Sequence, residues 1–104
     1  MYEYKAEITR VVDGDTVHAR VDLGCDVHTD LVLRLAGIDT PELPTLPGKN
    51  ARDYLAERVI GAEVTIHTIK DKREKYGRYL AILYVGGENI NDTLMRLGYA
   101  KEYA

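Results

Sequence analysis

The residues of this chain best suited to chemistry are carboxylates and arginines set at the ends of apolar runs. Asp13 and Asp15 flank Gly14 in Asp13-Gly14-Asp15-Thr16, and Asp39 and Glu42 flank Thr40-Pro41 directly after the run Leu31 to Ile38. That run carries Arg34 in its middle, and desolvating a guanidinium is costly unless anions or hydrogen-bond acceptors compensate it. Arg34 therefore needs a partner. Oxygen-rich ligand sets without cysteine or histidine suit a hard cation such as Ca²⁺ or Mg²⁺, and Asp13, Asp15, Asp39 and Glu42 form such a set if the two stretches meet. Taken singly, each stretch also reads as ordinary structure: Asp-Gly-Asp-Thr as a turn with Asx-type hydrogen bonds, Thr-Pro-Glu as a failed helix start.

Other chemistries have less to stand on. The lone cysteine, Cys25, excludes an internal disulfide and a multi-cysteine zinc site. His18, His28 and His67 are scattered without ligand-like spacing. A net charge of −3 argues against a protein that coats nucleic acid through bulk positive charge. Residues Lys70 to Arg78 nevertheless hold five basic and two acidic residues, a local charge of +3, readable as a solvated turn or as a phosphate-facing loop.

The elements that must position these groups follow from patterning. With 104 residues, 45% hydrophobic and 30% charged, the chain is expected to form one small soluble domain over 1–104. Tyr4 to Val12 reads as a first strand stopped by Asp13-Gly14. Thr16 to Leu23 alternates, with Val17, Ala19, Val21 and Leu23 on one face and Thr16, His18, Arg20 and Asp22 on the other. Leu31 to Ile38 is the third strand, apolar at both parities and so expected to be covered on both faces. Pro41, Pro44 and Pro47 keep the next segment from forming a regular helix, and a helix follows from Lys49 to Ile60, stopped by Gly61. Glu63 to Ile69 and Tyr79 to Val85 are strands four and five. Ile90 to Leu97 is a second helix, capped by Asn89, with Ile90, Leu94 and Leu97 on one face. Five strands with a helix between the third and fourth is the order of an OB-fold barrel, so the fold class is α+β, mainly β: a five-stranded OB-fold barrel with two helices.

Taken together and in order, Val12-Asp13-Gly14-Asp15-Thr16-Val17, Arg34 to Glu42, Asp71 to Ala81 and Asn91 to Ala100 resemble the staphylococcal nuclease (thermonuclease) family across nearly the whole chain. The resemblance implies an OB-fold barrel with helices, a Ca²⁺-dependent phosphodiesterase activity that leaves 3′-phosphate ends, and DNA and RNA as substrates. It implies that Asp15, Asp39 and the backbone carbonyl of Thr40 bind Ca²⁺, with Asp13 outside them. It further implies that Arg34 and Arg78 hold the scissile phosphate, that Glu42 is the general base for water, and that Lys75 and Tyr76 contact a neighbouring phosphate. The chemistry is physically coherent, because attack on a phosphodiester builds negative charge that a cation and two planar guanidinium forks stabilise.

Some features depart from the family pattern. The family commonly continues into a third helix, whereas this sequence stops soon after the second, so lower stability or a groove filled by another chain is expected. The acidic balance predicts weaker, more salt-sensitive substrate binding. Tyr99 and Tyr103 are candidates for base stacking. No leader segment is visible, which favours a cytoplasmic location, and a monomer is the default state. The rival readings are a non-catalytic nuclease-like module binding nucleic acid or protein, and a simple OB-fold that stacks single strands on tyrosines. Neither needs the complete set Asp15, Arg34, Asp39, Glu42 and Arg78.

Overall fold

A computed structural model describes residues 2–73 and 77–103, with side chains for 2–69 and 77–103. The chain order is β1 (Tyr2–Asp13), β2 (Thr16–Gly24), β3 (Val27–Leu35), β4 (Ile38–Asp39), α1 (Leu46–Val59), β5 (Val64–Arg73), β6 (Tyr79–Val85), β7 (Glu88–Asn89), α2 (Ile90–Arg96) and β8 (Lys101–Glu102). Strands β1, β2 and β3 form the expected antiparallel meander, β1 also pairs with β5, and β5 pairs with β6. The sheet then closes on itself where β3 runs parallel to β6 through Leu33↔Tyr79, Arg34↔Leu80 and Leu35↔Ala81. The result is a closed, five-stranded mixed barrel flanked by two helices, as the sequence predicts, with β7 added to one edge and β4–β8 forming a separate small ladder.

The period-two pattern of β2 packs the barrel: Val17, Ala19 and Val21 are buried, as are Leu33 and Leu35 of β3, Val64 and Ile66 of β5, and Leu83 of β6. Leu23, expected on the same face, is 50% exposed because the β2–β3 hairpin extends beyond the core. Strand β3 begins four residues earlier than its apolar run, since Val27 to Asp30 pairs by backbone with β2 whatever its side chains. Cover is complete only at Leu33 and Leu35 on one face; Val32 and Arg34 on the other are partly covered, so the expected cover on both faces is not met.

Helix α1 starts at Leu46, earlier than the expected Lys49, and takes Pro47 into its first turn. Proline is tolerated there because the N–H it lacks has no intrahelical acceptor. Thr45 caps the helix by accepting from the Gly48 N–H, and Gly48, Ala51, Leu55 and Val59 form its buried stripe. In α2, Asn89 caps as expected by accepting from the Asp92 N–H, and Ile90 and Leu94 are buried, but Leu97 is 54% exposed at the C-cap of a helix that ends one residue earlier, at Arg96.

The residue that docks α2 is one to which the hydrophobic patterning assigns no role. Asn91 is buried; its Oδ1 accepts from the Leu83 N–H at 3.2 Å, and its Nδ2 donates to the carbonyls of Ala36 at 3.0 Å and Ala81 at 3.1 Å. One amide thus ties α2 to β6 and to the residue that directly follows β3. Asn91→Ala leaves the Leu83 N–H without this acceptor, and is expected to cost about 2–3 kcal/mol, measured as a lower urea midpoint at unchanged slope.

A second clasp joins the helices. Arg58 donates to both carboxylate oxygens of Glu88, at 2.7 and 3.2 Å, and to the Tyr54 hydroxyl at 2.9 Å. Thr93 donates to Glu88 as well, and hydrogen bonds from Arg58 first and then Thr93 hold the Glu88 carboxyl down to about 2.

Candidate active site

The hairpin turn between β1 and β2 is an Asx turn: the Asp15 N–H donates to Asp13 Oδ1 at 3.0 Å. The ordinary reading of Asp13-Gly14-Asp15-Thr16 is therefore met, and the turn does more besides. Gly14 lies against α1 and the segment after β4; a Cβ there would stand 2.8 Å from Ala51 Cβ and 2.8 Å from Thr40 Cγ2. Absence of that carbon lets the Thr40 N–H reach Asp15 Oδ2 at 3.2 Å.

The two acidic stretches meet around Arg34. Its Nη2 is 3.5 Å from Asp15 Oδ2 and 3.5 Å from Asp39 Oδ1, while its Nη1 donates to the carbonyls of Leu35 and Ile38, each at 2.9 Å. These are the partners its burial demands, and two of them are backbone groups. Gly37, at φ +78°, turns the chain between β3 and β4, and Arg34 closes that turn through Leu35 and Ile38. Arg34 consequently sets the direction in which Asp39 emerges. Strand β8 lies alongside, with Asp39 opposite Lys101, and carries Tyr103 over the guanidinium at 5.5 Å, a cation–π distance.

Asp15 is the hub of the site. Burial pushes its carboxyl up, but hydrogen bonds from Asp13 and the Thr40 N–H, the charge of Arg34 and the Thr16 hydroxyl together outweigh it and hold Asp15 below the usual carboxylate range. Asp13 is pushed up to about 6, first by burial and then by Asp15 beside it. Above that pH both acids are charged in a half-buried turn, a situation that favours a cation.

Arg78 joins through Thr16, donating from Nη1 to Thr16 Oγ1 at 3.2 Å. Glu42 is exposed; it lines, with Asp39, Thr40 and Pro41, one wall of a cavity of about 440 Å³ whose other wall is residues 98–101, Tyr99 among them. Tyr99 also stacks on Tyr54, centroids 4.6 Å apart. The Glu42 backbone is fixed from α1: the Thr45 N–H and hydroxyl both donate to its carbonyl, and a Cβ on Gly48 would collide with that same oxygen. Lys75 and Tyr76 lie outside the described residues. Asp15, Arg34, Asp39 and Thr40 are thus brought together, with Arg78 linked to them by a residue that sequence reasoning assigned only to the polar face of β2. The signal for Thr16 was its place beside two candidate acids.

In its chemistry the donor set suits a hard cation. Asp15, Asp39 and a Thr40 carbonyl are all oxygen donors, and among the described residues no three acidic, histidine or cysteine side chains close into a cage. Ca²⁺ takes six to eight oxygens, so water and substrate would supply the rest.

The family model described as "Staphylococcal nuclease homologue" matches residues 32–104. A thermonuclease of Staphylococcus hyicus is 32% identical over 105 residues, covering 95% of this chain and 59% of that protein. Endonuclease YhcR of Bacillus subtilis is 32% identical over 114 residues, covering 97% of this chain and 9% of its own length. A micrococcal nuclease of Shigella flexneri is 31% identical over 110 residues, covering 97% of this chain and 59% of its length. The chain spans less than two thirds of the length of these relatives. Its barrel, and a family match that runs from the middle of β3 through both helices, agree on one assignment: the chain belongs to the staphylococcal nuclease family.

Proposed function

We propose that this chain is a Ca²⁺-dependent phosphodiesterase that hydrolyses DNA and RNA without preference for the sugar, leaves 3′-phosphate ends, and works as a monomeric single domain. The observation that carries this reading is the convergence of Asp15 and Asp39 on Arg34 at one rim of the barrel, each carboxylate 3.5 Å from the same guanidinium nitrogen. The names of the relatives, thermonuclease and endonuclease among them, agree with it.

In this reading Asp15, Asp39 and the Thr40 carbonyl hold the cation, which when bound supplies a hard positive charge beside the phosphodiester. Arg34 and Arg78 grip the phosphate oxygens, whose negative charge grows as the bond to the leaving 5′ oxygen breaks. Glu42 orients the attacking water and takes its proton; its exposed carboxylate on the cavity wall suits a group that must meet solvent. Lys75 and Tyr76 steady the next phosphate along the strand.

The deciding experiment is digestion of single-stranded DNA, duplex DNA and RNA in Ca²⁺, in Mg²⁺ and in chelator. Cleavage of all three in Ca²⁺, abolished by chelator, is the expected result; protein that binds all three and cuts none in Ca²⁺ would make the chain a binding module. Glu42→Gln is expected to lower kcat by about 10²–10⁴-fold with little change in Ca²⁺ affinity. Equal losses in both would instead make Glu42 a residue of the cation site.

A further inference from the structure

We propose that Thr16 is a positioning residue that couples the carboxylate arm of the site to its phosphate arm, an inference that rests on the phosphodiesterase reading above. Thr16 opens β2, opposite Asp13 in one ladder and opposite Arg34 in the other, and is 4% exposed. Its Oγ1 donates to Asp15 Oδ1 at 3.1 Å and accepts from Arg78 Nη1 at 3.2 Å. A hydroxyl has a single hydrogen, and a guanidinium can only donate, so the roles are fixed. The hydrogen goes to the carboxylate and a lone pair faces the arginine. Two hydrogen bonds therefore run in one direction from Arg78 to Asp15, across a separation of 62 residues between Thr16 and Arg78.

The consequence is mutual. A charged Asp15 orients the hydroxyl so that its lone pair points at Arg78, and Arg78 in turn polarises the hydroxyl toward Asp15. The group proposed to hold the cation and the group proposed to hold the phosphate thus share one buried oxygen. Asp15 also has the Thr40 N–H and Arg34 as partners, so the carboxylate keeps its place without Thr16 while the link to Arg78 is lost. Valine has nearly the shape of threonine and neither donates nor accepts, whereas serine keeps the hydroxyl and drops only the methyl group.

The test uses Thr16→Val and Thr16→Ser, each alone and combined with Arg78→Ala. Single-turnover cleavage of a single-stranded DNA oligonucleotide is read at saturating Ca²⁺, and Ca²⁺ binding is read by calorimetry without substrate. Thr16→Val is expected to lower the cleavage rate about 10–100-fold and to weaken Ca²⁺ binding about threefold, and Thr16→Ser to recover both. In the Arg78→Ala background Thr16→Val should cost less than about threefold in rate, because the partner it positions is gone, while its effect on Ca²⁺ binding persists. Full additivity of the two substitutions in rate, or failure of serine to restore it, overturns the proposal. Wild-type protein that does not cleave at all overturns the phosphodiesterase reading instead, and equal Ca²⁺ binding by wild type and Thr16→Val then overturns the coupling as well.

Discussion

Replacing Arg34 with alanine is expected to lower kcat/KM on DNA by about 10³-fold or more, the scale of losing one guanidinium from a phosphoryl-transfer site, and to weaken Ca²⁺ binding at the same time. The second effect follows from geometry. Nη1 of Arg34 donates to the Leu35 and Ile38 carbonyls, and Nη2 lies between Asp15 and Asp39. The side chain is only 12% exposed, and removing it leaves Asp15, itself 10% exposed, without its countercharge. Stability should fall by about 3 kcal/mol, as when one partner of a buried pair is deleted.

Arg34→Lys separates these contributions. Lysine keeps the charge but lacks the planar fork, and one ammonium cannot reach two carbonyls and two carboxylates from a single point. It should recover part of the stability and little of the turnover. Thermal unfolding, Ca²⁺ calorimetry and cleavage kinetics on the three proteins make the comparison. Turnover by Arg34→Lys within threefold of wild type would show that charge alone suffices and would remove the bidentate role.

The second large effect is expected from the smallest possible change. Gly14→Ala puts a methyl group 2.8 Å from Ala51 Cβ, 2.8 Å from Thr40 Cγ2 and 2.9 Å from Thr40 Cβ, so α1 or Thr40 must move. Overpacking of this kind costs about 1–3 kcal/mol. Movement of Thr40 also breaks the bond from its N–H to Asp15 Oδ2. Ca²⁺ affinity should fall about tenfold, and turnover with it. Ala51→Gly in the same chain removes one of the two obstacles and should restore part of both. A Gly14→Ala protein with a lowered melting temperature but unaltered Ca²⁺ binding would mean that α1 yields and Thr40 does not.

The barrel was legible because most of its strands are written as alternation. Val17, Ala19 and Val21, then Val64, Ile66 and Thr68, point inward as their spacing predicts. The elements that depart from their sequence pattern are those whose places are set by backbone bonding or by contacts with other elements. Val27 to Asp30 joins β3 through its ladder with β2, Pro47 enters α1 because the first helical turn spares its nitrogen, and Leu97 is left outside when α2 ends at Arg96. Among the candidate site residues, charge and anomaly were informative. Arg34 in an apolar run demanded acceptors and has them, but nothing in the sequence could say that two would be carbonyls of its own strand end and turn. Asn91 and Thr16 were harder to see. Each is an uncharged polar residue of ordinary type, and its importance comes from reaching groups many positions away.

The parallel seam between β3 and β6 has a consequence for the order in which the molecule becomes competent. Arg34 belongs to a meander of neighbouring strands, but Arg78 comes one residue before β6, the strand that closes the barrel, and Asn91 fastens that closure from α2. Nonlocal pairings of this kind form late, since the loop between the partners must be closed before the contact is gained. A chain folded only as far as its first three strands would carry Asp13, Asp15 and Arg34, yet lack Asp39, which lies in β4, and Arg78. The proposed cleavage would therefore need the closed ring, and its appearance during refolding should lag the formation of the first hairpins and coincide with docking of the last helix.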